Sequence, residues 1–153
     1  MNYRSLIIAL HIPLLSLLIP FSAKAAGGNL AGTYRMEIRI GERDFTDILV
    51  IKGDRELAVS GHSGPITGTL EVPGVFIAAL EGGSFCLGAW VAKCRLEFAI
   101  VARENGEDFK VHYRAQLANY FEAYGGAAAI LKGHATLENG ALLGNFTATQ
   151  QRP

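Results

Sequence analysis

This sequence has little excess charge of either sign, and that excludes two classes of partner. It contains 14 Lys and Arg residues against 14 Asp and Glu residues, so its formal net charge is zero. Removing the first 25 residues takes away Arg4 and Lys24 and leaves a net charge of −2. Nucleic acids and anionic membrane surfaces are bound through basic patches. We therefore expect neither as a partner.

Cysteine is also scarce. The chain contains two cysteines, Cys86 and Cys94. Their spacing lacks the Cys-x-x-Cys of thiol chemistry, and structural zinc would need two further good ligands. In an oxidising compartment such a pair favours a disulfide, and closing this short segment would contribute roughly 2.5 kcal/mol of stability. Trp90, the only tryptophan, lies midway between the cysteines. It would either contact a partner or fold back over the core.

Long apolar runs are limited to one, from Leu6 to Ile19, which is shorter than the roughly 20 residues that cross a bilayer as a helix. A short basic start precedes the run, and Ala23 and Ala25 follow it. This order is typical of a secretory signal peptide, so we expect residues 1–25 to be removed. Residues 26–153 would then form a single domain without a membrane anchor. Because no cysteine follows the run, we expect no lipid anchor there. The predicted location is the bacterial periplasm or the exterior.

The chain is rich in glycine, with 18 residues, and in short segments of alternating polarity. In residues 33–40 every second side chain is apolar, which is typical of a half-buried strand. We predict an all-β fold: a single antiparallel up-and-down barrel of about eight to nine strands, with one short helix or helical turn. The candidate strands are 33–40, 45–52, 56–61, 66–72, 75–80, 95–103, 108–116, 129–137 and 141–149.

Two Asn-Gly pairs predict the register of two hairpins, because this dipeptide favours a two-residue turn. In both hairpins the register places apolar residues opposite each other on one face and polar residues on the other. Around residues 105–106 it pairs Ala102 with Phe109, Ile100 with Val111, Phe98 with Tyr113, Leu96 with Ala115, Arg103 with Asp108, and Glu97 with Arg114. Around residues 139–140 it pairs Leu137 with Leu142, Ala135 with Gly144, Gly133 with Phe146, Leu131 with Ala148, His134 with Asn145, and Lys132 with Thr147.

The inner face of the second hairpin carries small residues, namely Gly133, Ala135, Gly144 and Ala148. Such residues either let a barrel bend and close tightly or leave room for a ligand.

A helical pattern interrupts the strands in residues 117–124. Leu117, Tyr120, Phe121 and Tyr124 follow a spacing of three and four residues, and Gly125 and Gly126 provide a stop. We expect a short helix that closes one end of the barrel, either as a plug or as a lid whose tyrosines face a cavity.

Residues 29–39, Asn-Leu-Ala-Gly-Thr-Tyr-Arg-Met-Glu-Ile-Arg, resemble the first-strand signature of lipocalins and related calycin barrels. Gly32 lies two residues before an aromatic residue at the start of strand one, where Tyr34 replaces the usual Trp. The resemblance implies a barrel that binds a small apolar molecule inside. In size and disulfide use the chain is also similar to small secreted bacterial barrels that inhibit lysozyme or proteases.

Catalytic and metal-binding signals are weak. Ser60, His62 and Ser63 share a Gly-rich turn, where adjacent side chains rarely point at one another. His112 and His134 fall on the polar faces of their strands, which argues against a shared metal site inside the barrel. We therefore expect no enzyme activity, no metal and no cofactor.

Acidic residues within the strands offer no paired acid and base. Asp47, Glu71 and Glu81 lack the required spacing, and we interpret them as solvated strand ends. An outer-membrane barrel is a further alternative, but it would have long outer loops and aromatic girdles. Short connections and an aromatic content of 9% disfavour it.

Two functional hypotheses remain from the sequence. In the first, the barrel carries a small apolar ligand in an internal cavity of roughly a few hundred Å³, and a packed interior would contradict it. The predicted binding residues are Tyr34, Met36, Phe98, Tyr113 and Phe146 inside, with Trp90, Tyr120 and Tyr124 at the ends. In the second, the chain is a protein-binding module or enzyme inhibitor that uses the disulfide-closed loop 86–94 around Trp90.

Overall fold

Alternating polarity and closely spaced turns give a chain that is mostly strand. The computed structural model describes residues 29–53, 63–87, 93–104 and 106–152. These ranges contain eight strands and one helix: β1 (Gly32–Ile40), β2 (Arg43–Gly53), β3 (Ser63–Val72), β4 (Phe76–Leu87), β5 (Lys93–Glu104), β6 (Glu107–Leu117), α1 (Tyr120–Tyr124), β7 (Ile130–Leu137) and β8 (Leu142–Gln150). None of the helical residues described belongs to a segment long and apolar enough to cross a bilayer.

The strands form one closed antiparallel barrel. Each strand pairs with the next along the chain, and β1 pairs with β8 to complete the circle. The predicted all-β up-and-down barrel with one short helix is therefore confirmed. Eight of the nine candidate strands overlap β1 to β8, and the ninth, 56–61, lies outside the described residues.

The predicted register of the β5–β6 hairpin is confirmed at every pair. Phe98 lies opposite Tyr113 on the inner face, and Glu97 lies opposite Arg114 on the outer face. Arg103 Nε donates to Asp108 Oδ1 at 2.7 Å, as expected for opposite charges across a ladder.

The predicted register of the β7–β8 hairpin is correct in its deep part and wrong near the turn. The ladder shifts after Ala135, so that Leu142 pairs with Thr136 and not with Leu137. The cause is a turn over residues 138–140 in which Gly140 has a φ of 83° and which is closed by Leu137 N donating to Ala141 O. Leu142 consequently points outward and is 63% exposed.

Side chains alternate between the interior and the solvent along the strands. On β1, Tyr34, Met36 and Ile38 are buried, whereas Arg35 and Glu37 are exposed. An outer-membrane barrel has the reverse arrangement, with its apolar face outward. The distribution of charge therefore argues against that alternative.

The small inward residues serve tight closure. A Cβ added to Gly133 would overlap the Arg114 carbonyl of β6, and one added to Gly144 would overlap the Arg39 carbonyl of β1. Gly82 likewise lies against Glu97 and Phe98 of β5. Glycine is required where neighbouring backbones approach this closely. Of the two interpretations of these residues, tight closure is the one the glycines support.

The two ends of the barrel differ in construction. One end of the barrel, which we call the turn end, carries the connections β1–β2, β3–β4, β5–β6 and β7–β8. The opposite end, the loop end, carries α1, residues 29–31 and residues 118–129.

Candidate functional site

Asp47 is an acidic residue inside the barrel, and its interpretation as a solvated strand end is wrong. It belongs to β2, where it shares the inner face with Phe45, Leu49 and Ile51, and its side chain is only 5% exposed. Its partner across the ladder is Met36 of β1. The alternation of β2 carried this signal, because Asp47 occupies a position at which every neighbour on the same face is apolar.

One oxygen of the buried Asp47 carboxylate, Oδ1, has no hydrogen-bond partner in the part of the chain that the structure describes. Ser84, the other buried polar residue described, is by contrast placed to donate to the Gly64 carbonyl at 3.4 Å. Burial raises the pKa of Asp47 from 3.8 to about 6, because the charged form loses solvation. The group is therefore mostly ionised at neutral pH.

Tyr113 of β6 connects Asp47 to an aromatic cluster. Burial and, to a smaller degree, the Asp47 charge raise the pKa of Tyr113 above its usual range. The Tyr113 ring stacks on Phe98 with centroids 4.9 Å apart and meets the edge of Phe146 at 5.8 Å. We call Asp47, Phe98, Tyr113 and Phe146 the interior cluster. Three of the predicted ligand-binding residues thus meet beside a charge that sequence reasoning placed elsewhere.

Tyr34 and Met36 are the other predicted interior residues, and both are fully buried at 0% exposure. The Tyr34 hydroxyl donates to the Leu30 carbonyl at 2.7 Å, so its polar atom already has a partner within the chain. Met36 lies opposite Asp47 on one side and Ala148 on the other. Met36 therefore borders the interior cluster, whereas Tyr34 fastens residues 29–31 across the loop end.

Helix α1 closes part of the loop end, although its exposed face differs from the prediction. Tyr120 and Ala123 are buried, and Tyr120 stacks with Tyr124 at a centroid distance of 6.3 Å. The Tyr120 hydroxyl is placed to donate to the Leu87 carbonyl at 3.3 Å. Phe121 is 69% exposed, and Leu117 belongs to β6, so the predicted four-residue helical face is wrong at those two positions. The remaining contacts support a plug.

Polar side chains of the loop end are hydrogen-bonded within the chain. Asn119 donates to the Ala128 carbonyl and accepts from Ile130 N, both at 2.8 Å. Gln150 donates to the carbonyls of Asn29 and Ala31 at 2.9 Å. Gln150 Oε1 also accepts from Ala129 N at 3.1 Å, so Gln150 joins the connection between β6 and β7 to β8 and to residues 29–31.

The disulfide predicted between Cys86 and Cys94 is present. The two cysteines lie directly opposite each other on β4 and β5, and both are buried. Phe85 next to this bridge is 47% exposed, with the Arg95 guanidinium 5.9 Å from its ring centroid. Trp90 lies outside the described residues.

His112 and His134 lie on the outer wall, as predicted. They line a shallow groove of about 540 Å³ together with Glu81, Glu97 and Arg114. Within the described ranges no three His, Cys, Asp or Glu side chains are grouped to hold a metal ion. Ser60 and His62 lie outside those ranges.

Comparison with protein-family models, with curated proteins and with solved structures finds no match to this chain. The resemblance to lipocalins therefore stays a prediction that rests on residues 29–39.

Proposed function

We propose that this protein is an exported, non-enzymatic barrel that binds a small, largely apolar ligand in its interior, with Asp47 as the polar anchor. The observation that carries the proposal is the buried Oδ1 atom of Asp47, which has no hydrogen-bond partner among the described residues. Leaving a buried polar group unpaired costs about 1–3 kcal/mol, and more when the group is charged. A bound molecule that supplies the missing partner would offset that cost.

The surroundings of Asp47 have the composition of a ligand site. Small-molecule sites combine apolar and aromatic walls with a few convergent polar groups. Phe98, Tyr113 and Phe146 provide the aromatic wall, and Asp47 provides the polar group. In this proposal the predicted interior residues line one ligand site, and Tyr34 supports its structure.

Access to Asp47 is most direct from the turn end. Phe45 precedes Asp47 on the same inner face of β2 and is 41% exposed. Deeper along that face, Leu49 and Ile51 are closed off at 0% and 1% exposure. Displacement of the Phe45 ring would open the shortest route from solvent to the carboxylate.

Native mass spectrometry of protein exported to a bacterial periplasm tests the proposal. The wild-type chain should carry an added mass that disappears on denaturation, and the Asp47→Asn variant should lose most of it. Asp44→Asn is the matched control, because Asp44 lies on the same strand but is exposed and 3.9 Å from Arg39. A wild-type protein without added mass, in repeated gentle preparations, would contradict the proposal. The denatured mass also tests cleavage after Ala25.

A second candidate function is protein binding through the loop end. It is favoured by Phe85 and Phe121, which are 47% and 69% exposed near the disulfide and on α1. Aromatic side chains on a rigid support are typical anchors of protein interfaces. A photo-crosslinking residue at position 121 should capture one defined partner, and Trp90→Ala should abolish capture. The same probe at Thr147, on the outer wall, is the control. Undiminished capture after Trp90→Ala would contradict this candidate.

A further inference from the structure

We infer that the ligand presents a protonated amine to Asp47, an inference that rests on the proposed function and names its ligand class. The structural basis is a buried carboxylate whose Oδ1 has no partner among the described residues, together with the aromatic rings of the interior cluster, whose residues are also buried inside the barrel.

Charge balance distinguishes a cationic ligand from a neutral one. Every Lys, Arg and His side chain of the described residues is half-buried or exposed, and Asp47 is the buried charged residue among them. A buried carboxylate is stable when a positive group pairs with it. A neutral hydroxyl would supply a hydrogen bond to Oδ1 but would leave the negative charge uncompensated. A carboxylate ligand such as a fatty acid would add a second negative charge and be repelled.

The rings beside Asp47 also suit a cation. The faces of Phe and Tyr rings attract ammonium groups, by about 2 kcal/mol or more when the cation is desolvated. Tyr113 feels the Asp47 charge and contacts both Phe98 and Phe146. An ammonium group held by Asp47 would therefore lie near aromatic carbon.

The packed side chains of the interior limit the size of the apolar part of the ligand. Tyr34, Met36, Leu49, Leu131 and Ala148 are all at 0% exposure. These side chains have no accessible surface, so no cavity of the kind predicted from the sequence borders them. We therefore expect an amine on one unbranched chain or one small ring, extending from Asp47 toward Phe45.

The test compares three probes with the same eight-carbon tail: 1-octylamine, 1-octanol and octanoate. Binding to the wild-type protein is measured at pH 7.5 by isothermal titration calorimetry and by the NMR signal of the Met36 methyl group. Met36 is a specific reporter because it lies opposite Asp47. We expect octylamine to bind at least about tenfold more tightly than octanol, and octanoate most weakly. Asp47→Asn should abolish the preference, and Asp44→Asn should preserve it.

The outcomes separate the inference from the proposed function. Equal or tighter binding of octanol, or a preference that survives Asp47→Asn, overturns the amine assignment and leaves a ligand barrel. If no probe binds but the native mass spectrum contains an added mass, the molecule released on denaturation is identified. A molecule with a basic nitrogen supports the amine assignment, and one without a basic nitrogen overturns it. If no probe binds and no added mass is found, both the inference and the proposed function fail.

Discussion

The two ends of this barrel treat polar side chains in opposite ways. At the loop end, the polar atoms of Tyr34, Asn119 and Gln150 are hydrogen-bonded to backbone groups of the chain. Toward the turn end, Asp47 is buried, its Oδ1 has no partner among the described residues, and the neighbouring Phe45 is partly exposed. The three loop-end side chains therefore have partners within the chain, whereas Asp47 Oδ1 has none in the part of the chain that the structure describes.

This difference indicates how stability and binding are divided within one small domain. Satisfied polar networks fix a single conformation, and an unsatisfied buried group is a cost that function can explain. We expect changes at the loop end to affect the stability of the fold and changes at Asp47 to affect binding.

The largest loss of stability is expected from a substitution at Gly82, where β4 and β5 approach closely. This close approach is part of the closure of the barrel, on which both ends depend. A Cβ at this position would overlap the Glu97 carbonyl and the Phe98 backbone. Gly82→Ala should destabilise the protein by at least about 3 kcal/mol in chemical unfolding. Gly83→Ala is the control, because its Cβ would meet nothing nearer than the Gly64 carbonyl at 3.7 Å. It should change stability by less than about 1 kcal/mol. Similar losses in both variants would show that closure does not depend on the close approach at Gly82.

The next effect concerns the disulfide. Replacing both Cys86 and Cys94 by Ser should lower the free energy of unfolding by about 2.5 kcal/mol, since the bridge restricts the unfolded chain. Octylamine affinity at Asp47 should stay within about twofold at temperatures where the variant is folded, because the bridge lies away from the interior cluster. A large loss of affinity in calorimetry, with the fold intact, would show that the two ends are coupled.

Opposite signs are expected for two polar residues. Asn119→Ala removes two hydrogen bonds of 2.8 Å at the loop end and should cost about 2 kcal/mol in thermal unfolding. Asp47→Val removes a buried carboxylate whose Oδ1 has no partner among the described residues, and it should stabilise the unliganded protein by about 1–3 kcal/mol while weakening octylamine binding. If Asp47→Val destabilised the unliganded protein, Asp47 would be a structural residue and the contrast between the ends would fail.

The smallest effect is the pH dependence of the unliganded protein. The folded-state pKa of Asp47, about 6, exceeds its ordinary value of 3.8, so the folded chain binds this proton more tightly than the unfolded chain does. This contribution to stability is present in full below the unfolded-state pKa of 3.8 and is lost as the pH rises through 6. The difference between wild type and Asp47→Asn in unfolding from pH 4 to pH 7.5 measures it. A constant difference over that range would contradict the raised pKa.

Much of the fold could be predicted from the sequence because local signals and pairing agreed. The Asn-Gly pair at 105–106 defined a turn, and both faces of β5 and β6 then matched in polarity. The same reasoning failed at Leu142, where two turn lengths suit the same dipeptide. A left-handed Gly140 selects the longer connection, and the shift after Ala135 restores the deep register.

The candidate site was only half predictable. Alternation identified Phe98, Tyr113 and Phe146 as inward residues, but it does not state which rings touch across a barrel. Asp47 was missed because its charge suggested an exposed side chain, although its position in the alternating pattern of β2 indicates an inward one. The exposure of Phe121 was missed because Leu117 ends a strand and does not begin the helix. A spacing of three and four residues between apolar side chains does not locate the boundary between β6 and α1.

Pairing between β1 and β8 has a consequence for the order of folding events. These strands are more than one hundred residues apart in the sequence, yet Met36 pairs with Ala148 and Ile38 with Phe146. Contacts between such distant residues form slowly because a long loop must first be closed. Until β8 docks, the sheet retains two open edges that could pair with other chains. Rapid arrival of the last strand would therefore protect this protein from aggregation.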